Sequence, residues 1–155
     1  MNAELQSHFD KVLAIVRDAL ASGGQSCYFP TLVTVEDDHV RIDTLFRGLP
    51  DFDILRAVER FGYRTGKRKR IPEFLFFSAE SVSSDASDQI MVSGCSKQFE
   101  VIVGYLTLGR SPSGHLIPDA VVDVGSPTDE DVKRVPAWHA MNGAIAKSKA
   151  PWWHL

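Results

Sequence analysis

The stretch Phe74-Leu75-Phe76-Phe77, FLFF, decides the fold. A strand sends successive side chains to opposite faces, so four large apolar residues in a row leave neither face suited to water. The strand they open is expected in the middle of a sheet, covered on both sides. Val101 to Leu108, VIVGYLTL, reads the same way.

Working outward, Phe74 to Val82, Gln89 to Ser96, Phe99 to Leu108 and Leu116 to Val124 read as four strands. They are joined by SSDASD, SKQ and GRSPSGH, stretches rich in turn-forming residues. This predicts an antiparallel meander. PDAVVDV, Pro118 to Val124, alternates in polarity and carries a proline, which suits an edge strand. Two earlier strands, Phe29 to Val35 and Val40 to Phe46, flank Glu36-Asp37-Asp38-His39, which reads as a tight hairpin turn because Asp tolerates left-handed dihedrals. Val33, Val35, Val40 and Ile42 fall on one face of that hairpin, and Thr34, Arg41 and Asp43 on the other. Adjacent turn residues diverge, so three carboxylates and a histidine there are not read as a metal site.

Helical spacing dominates elsewhere. Leu5, Phe9, Val12, Leu13, Val16 and Leu20 mark an amphipathic helix from Ala3 to Ala21, closed by Ser22-Gly23-Gly24. His8 sits at the edge of that stripe and reads as a packed side chain rather than a catalytic one. A second helix follows Pro50, with Asp51 or Asp53 near its start and Ile54, Leu55, Val58 and Phe61 as its buried face. Arg56, Arg60, Arg64 and Arg68 recur every fourth residue on its solvent side, and Gly66 reads as its end. A third helical region starts at SPTDEDVKR, capped by Ser126 or Thr128. Pro136 breaks or kinks it, AWHAMNGAIAK adds a turn or two, and APWWHL is an aromatic tail.

These elements predict a single α+β domain over residues 1–155. Its antiparallel sheet of five to six strands carries the first two helices on one face, and residues 126–155 form a helical C-terminal segment and tail. The second apolar face of the central strands requires cover from that segment or from a partner. The order helix, hairpin, helix, meander, with GLPD and FLFFSAES, resembles small bacterial α+β proteins catalogued without an assigned activity. The resemblance covers the layout of residues 1–124 and implies an α+β fold and a bacterial or phage setting.

Composition bounds the function. A chain of 155 residues, 44% apolar and 24% charged, is long enough to bury roughly 70% of its unfolded surface in one core. No stretch approaches the roughly 20 apolar residues of a membrane span, and the N-terminus lacks a secretory pattern, which predicts a soluble, cytoplasmic protein. Cys27 and Cys95 lie far apart and are expected to be reduced thiols. A net charge of −3 argues against a protein devoted to polyanions, yet Arg64, Lys67, Arg68, Lys69 and Arg70 concentrate five of the 17 basic residues.

That basic cluster, inside Thr65 to Pro72, TGKRKRIP, has three readings. It is the charged end of a helix, a contact for a protein or anionic ligand, or a nucleic-acid contact. No RNP, KH or zinc-finger pattern accompanies it. For catalysis the candidates are Cys95, with Lys97 near in sequence and His115 or His139 able to approach in space, and Glu80, if a central strand buries it. Each has a structural alternative: Cys95 as a small buried apolar group, Glu80 as a solvent-facing strand end. GRSPSGH lacks the lysine and spacing of a phosphate loop, and no G-x-S-x-G occurs. His139 and His154 with Trp138, Trp152 and Trp153 form an aromatic group expected to dock on the core or on a second copy. The expectation is a non-catalytic accessory or protein-interaction domain, with no cofactor and no metal, acting through the basic cluster and Trp152 and Trp153. A homodimer is a candidate assembly. Nucleic-acid or anionic-ligand binding through residues 64–70, or an enzyme built on Cys95 or Glu80, are the alternatives.

Overall fold

The computed structural model describes residues 3–23, 28–44, 51–81, 89–125 and 127–150. The chain is α+β. Its order is α1 (Ala3–Gly23), β1 (Thr31–Glu36), β2 (His39–Thr44), α2 (Asp51–Lys67), β3 (Phe74–Ser81), β4 (Gln89–Ser96), β5 (Val101–Arg110), β6 (Leu116–Gly125), α3 (Asp129–Val132) and α4 (Pro136–Lys149). The six strands form one antiparallel sheet in the order β2-β1-β3-β4-β5-β6. FLFF opens β3, an interior strand flanked by β1 and β4, as its two-sided apolar pattern requires.

The residues of β3 divide strictly by parity. Phe74 and Phe76 join Leu5, Phe9, Val12, Val16 and Leu20 of α1, while Leu75 and Phe77 join Val58 of α2 and Ala137, Ala140 and Met141 of α4. The sheet thus separates two cores, with α1 across β3 to β6 on one side and α4, bearing α2, on the other. The pair of helices that shares a face is therefore α2 and α4. The first two helices were expected together, but α1 lies alone on the opposite side. The second apolar face of the central strands is covered by the C-terminal segment.

Two boundaries differ from the sequence reading, each for its own physical reason. Gly66 does not end α2, which continues to Lys67 and closes at Lys69, whose φ of 54° is left-handed and whose N–H donates to the Gly66 carbonyl at 2.9 Å. Gly66 and Gly62 are buried against α4, where an added Cβ would collide with the carbonyls of Ala144 and Ala140. They are present to let two backbones approach. Pro136, likewise, starts α4 at its first position instead of breaking it, and the helix then runs 14 residues.

The shorter elements follow their local chemistry. Asp37 and Asp38, with φ of 46° and 63°, make the two-residue turn between β1 and β2. Thr128 caps α3, its hydroxyl accepting from the Asp131 N–H at 3.3 Å while the Asp131 carboxylate accepts from the Thr128 N–H at 3.3 Å. The His8 ring packs 4.9 Å from Phe74, centroid to centroid, at the boundary of the α1 core. No helix among the described residues is long and apolar enough to cross a membrane.

Candidate functional site: a basic cleft

The connector between α2 and β3 runs beside the hairpin because β3 pairs with β1, setting Leu75 against Thr34 and Phe74 against Val35. Between the end of α2 and the hairpin lies a cleft of about 720 Å³. Phe61 and Thr65 of α2 and Arg68, Lys69, Arg70, Ile71 and Pro72 of the connector form one wall. Thr34, Glu36, Asp37, His39 and Arg41 form the other.

Charge in the cleft is uneven. The connector supplies three exposed cations, and two of the carbonyls that end α2 are already engaged, that of Thr65 by the Arg68 N–H at 3.2 Å and that of Gly66 by the Lys69 N–H at 2.9 Å. This blunts the negative pole that would otherwise oppose an anion. On the hairpin, Arg41 is held by Asp43, Nε to carboxylate at 3.1 Å, while Glu36 and Asp37 place carboxylates at the lip. Ile71 and Phe61 are half-buried and give the cleft an apolar floor. The arrangement can bind an anion beside an apolar group and offer carboxylates to hydroxyl donors.

Of the basic residues singled out by sequence, Arg68, Lys69 and Arg70 line the cleft. Arg64 and Lys67 are exposed on the last turns of α2 and do not line it. Trp152 and Trp153, with His154 and Cys27, lie outside the described residues. Sequence reasoning missed Thr34, His39 and Arg41 as the facing wall, because no local pattern says that β1 pairs with β3.

The two catalytic candidates stand apart from the cleft. Cys95 is fully buried beneath α4 with Leu75 and Ala137, and its thiol donates to the Ser96 carbonyl at 3.3 Å. Burial pushes the thiol up to about 12, which keeps it protonated at neutral pH. Glu80 is exposed near the end of β3, where its carboxylate accepts from the Tyr28 N–H at 2.9 Å. Tyr28 in turn shares a 2.7 Å hydrogen bond with Ser78, and burial raises its phenol. Glu80 thereby fastens the lead into β1 onto β3. His139 lies 3.7 Å from Glu59, and Trp138 packs on Phe99 at 6.0 Å, against the same core that buries Cys95. Among the described residues no three His, Cys, Asp or Glu side chains converge as metal ligands.

A smaller cavity of about 420 Å³ lies beside α3, over Met91, Val103 and Tyr105. Its carboxylate, Asp131, is engaged with Thr128, which with Arg134 holds it below the usual carboxylate range. No protein-family model matches the chain, and neither a curated relative nor a solved structure is similar to it.

Proposed function

We propose that the protein is a non-catalytic binding module whose cleft takes a small phosphate-bearing ligand with free hydroxyls, of the size of a nucleotide or sugar phosphate. The observation that carries the reading is the placement of Arg68, Lys69 and Arg70 in one concave site facing Arg41 and His39. A flat charged face would serve solubility equally well; a cleft of about 720 Å³ is in the range of small-molecule sites. The connector cations would hold the phosphate, Glu36 and Asp37 would accept from hydroxyls, and Phe61 and Ile71 would meet the apolar part. Sealed Cys95 and occupied Glu80 support a role without catalysis. A cytoplasmic setting, where phosphorylated metabolites are abundant, is part of the same reading.

Calorimetric titration with adenosine triphosphate, glucose 6-phosphate and a short single-stranded oligonucleotide tests it. The expected result is binding of a small phosphate compound that weakens with salt and falls at least tenfold in Arg68→Ala/Lys69→Ala/Arg70→Ala. Binding confined to the oligonucleotide, with affinity growing with its length, would replace the small ligand by a polyanion. Absence of binding to all three at millimolar concentration removes the reading.

A further inference from the structure

Strand β2 is the outermost strand at one end of the sheet, and among the described residues nothing pairs with its outer edge. The two-residue turn at Asp37 and Asp38 makes Glu36 and His39 the closing hydrogen-bonded pair. Hydrogen bonding alternates along an antiparallel pair, so Arg41 and Asp43 direct their backbone groups to β1, and Val40, Ile42 and Thr44 direct theirs to the open edge. The Glu73 N–H bond to the Val35 carbonyl, 2.9 Å, agrees, because it turns Val35 toward β3 and away from Val40.

Open edges invite pairing, and proteins commonly guard them with charged side chains, lysine above all. This edge carries opposite signs two residues apart on one face, Arg41 and Asp43. On the other face Val40 and Ile42 are 49% and 51% exposed, beside Val35 and Val33, which are 2% exposed. An antiparallel strand pairing with its own copy has its two-fold axis through a residue. With the axis at Arg41, like cations oppose; with it at Asp43, like anions oppose. With it at Ile42, Arg41 opposes Asp43 twice.

We propose that the chain forms a two-fold dimer in which β2 pairs antiparallel with β2 of a second copy, centred on Ile42. Arg41 exchanges its own Asp43 for the partner's Asp43, the two Ile42 side chains meet, and Val40 faces the partner's Thr44. The sheet becomes continuous through both copies. Because the axis is perpendicular to the sheet, both basic clefts open on the same side, and the apolar strip of Val40 and Ile42 on the α1 side is shared between the copies. This dimer stands independently of what the cleft binds.

Sedimentation equilibrium from micromolar to near-millimolar concentration tests the interface, with circular dichroism confirming that each variant is folded. The wild-type chain is expected to approach twice 17.2 kDa at the upper end. Asp43→Arg, which sets cations opposite each other, weakens association at least tenfold. The double exchange Arg41→Asp/Asp43→Arg restores it. Ile42→Pro removes an N–H that points outward, leaves the hairpin ladder intact and yields monomer. A wild-type chain that stays monomeric throughout, a dimer indifferent to Ile42→Pro, or a double exchange that fails to recover association each overturns the proposal.

Discussion

The contact of α1 with the sheet and the contact of α2 with α4 are made by opposite means. On the α1 side, large side chains interlock: Phe9 lies 6.5 Å from Phe76, which lies 6.4 Å from Phe74, with Leu5, Ile90, Ile102 and Leu106 filled in around them. Even Gly94 there serves a side chain, since a Cβ on it would collide with the Phe76 ring. On the other side the helices meet through missing side chains. Gly62 and Gly66 of α2 rest on the Ala140 and Ala144 carbonyls of α4, and a Cβ at Gly143 would stand 3.3 Å from the Glu59 carbonyl. The first contact derives its stability from apolar volume, as does the contact of α4 with the sheet through Leu75, Phe77 and Met141, whereas α2 and α4 meet by close approach of backbones, which lets dispersion act over the whole helix crossing.

The comparison predicts that the two contacts fail under opposite substitutions. Phe76→Ala removes the fully buried ring at the centre of the α1 side and leaves a cavity, at a cost of about 3–5 kcal/mol in urea unfolding. A loss under about 1.5 kcal/mol would mean that α1 collapses into the space and the face is not interlocked. Gly62→Ala is the converse. In an exposed helix interior this change stabilises by about 1 kcal/mol. Here the new Cβ meets a main-chain carbonyl that cannot swing aside, so the expected outcome is a net loss of about 1–3 kcal/mol. A gain in stability would show that α2 and α4 stand farther apart than described.

That asymmetry also explains what could be read from the sequence. The α1 side was legible because its signals are local: the helical period of Leu5 to Leu20, the double-sided FLFF and the Asp37-Asp38 turn each state their structure within a few residues. The opposite side was misread at Gly66 and Pro136, which local rules treat as breakers. The role of Gly66 depends on α4 lying across α2, a contact between segments some 80 residues apart that no periodicity reports, while Pro136 simply starts a new helix at the position that tolerates it. The same limit governed the cleft. The cations of TGKRKRIP were visible, but the wall they face exists only because β1 sits next to β3. For Cys95 and Glu80 sequence gives residue type without depth and left two readings each; the structure has the buried thiol and the solvent-facing strand end.

Cys95 offers a finer test of whether the sheet face under α4 is as dry as the face under α1. It lies in register between Leu75 and Val101, beneath α4. If water entered between α4 and the sheet, the thiol would titrate near its ordinary 9.0, as it does in the unfolded chain; burial instead raises it to about 12. The folded state then keeps a proton that the unfolded state has released. Stability from this group is intact below about pH 9 and declines as pH rises toward 12, by about 1.4 kcal/mol per unit. Tyr28, also raised by burial but on the α1 side, adds a decline of the same sign at higher pH. Urea unfolding at pH 8, 9 and 10 of the wild type and Cys95→Ala separates them, because the alanine variant, though less stable overall, keeps only the tyrosine's part of the slope. Parallel profiles for the two proteins would place water against Cys95 and put the close packing of α4 on the sheet in error.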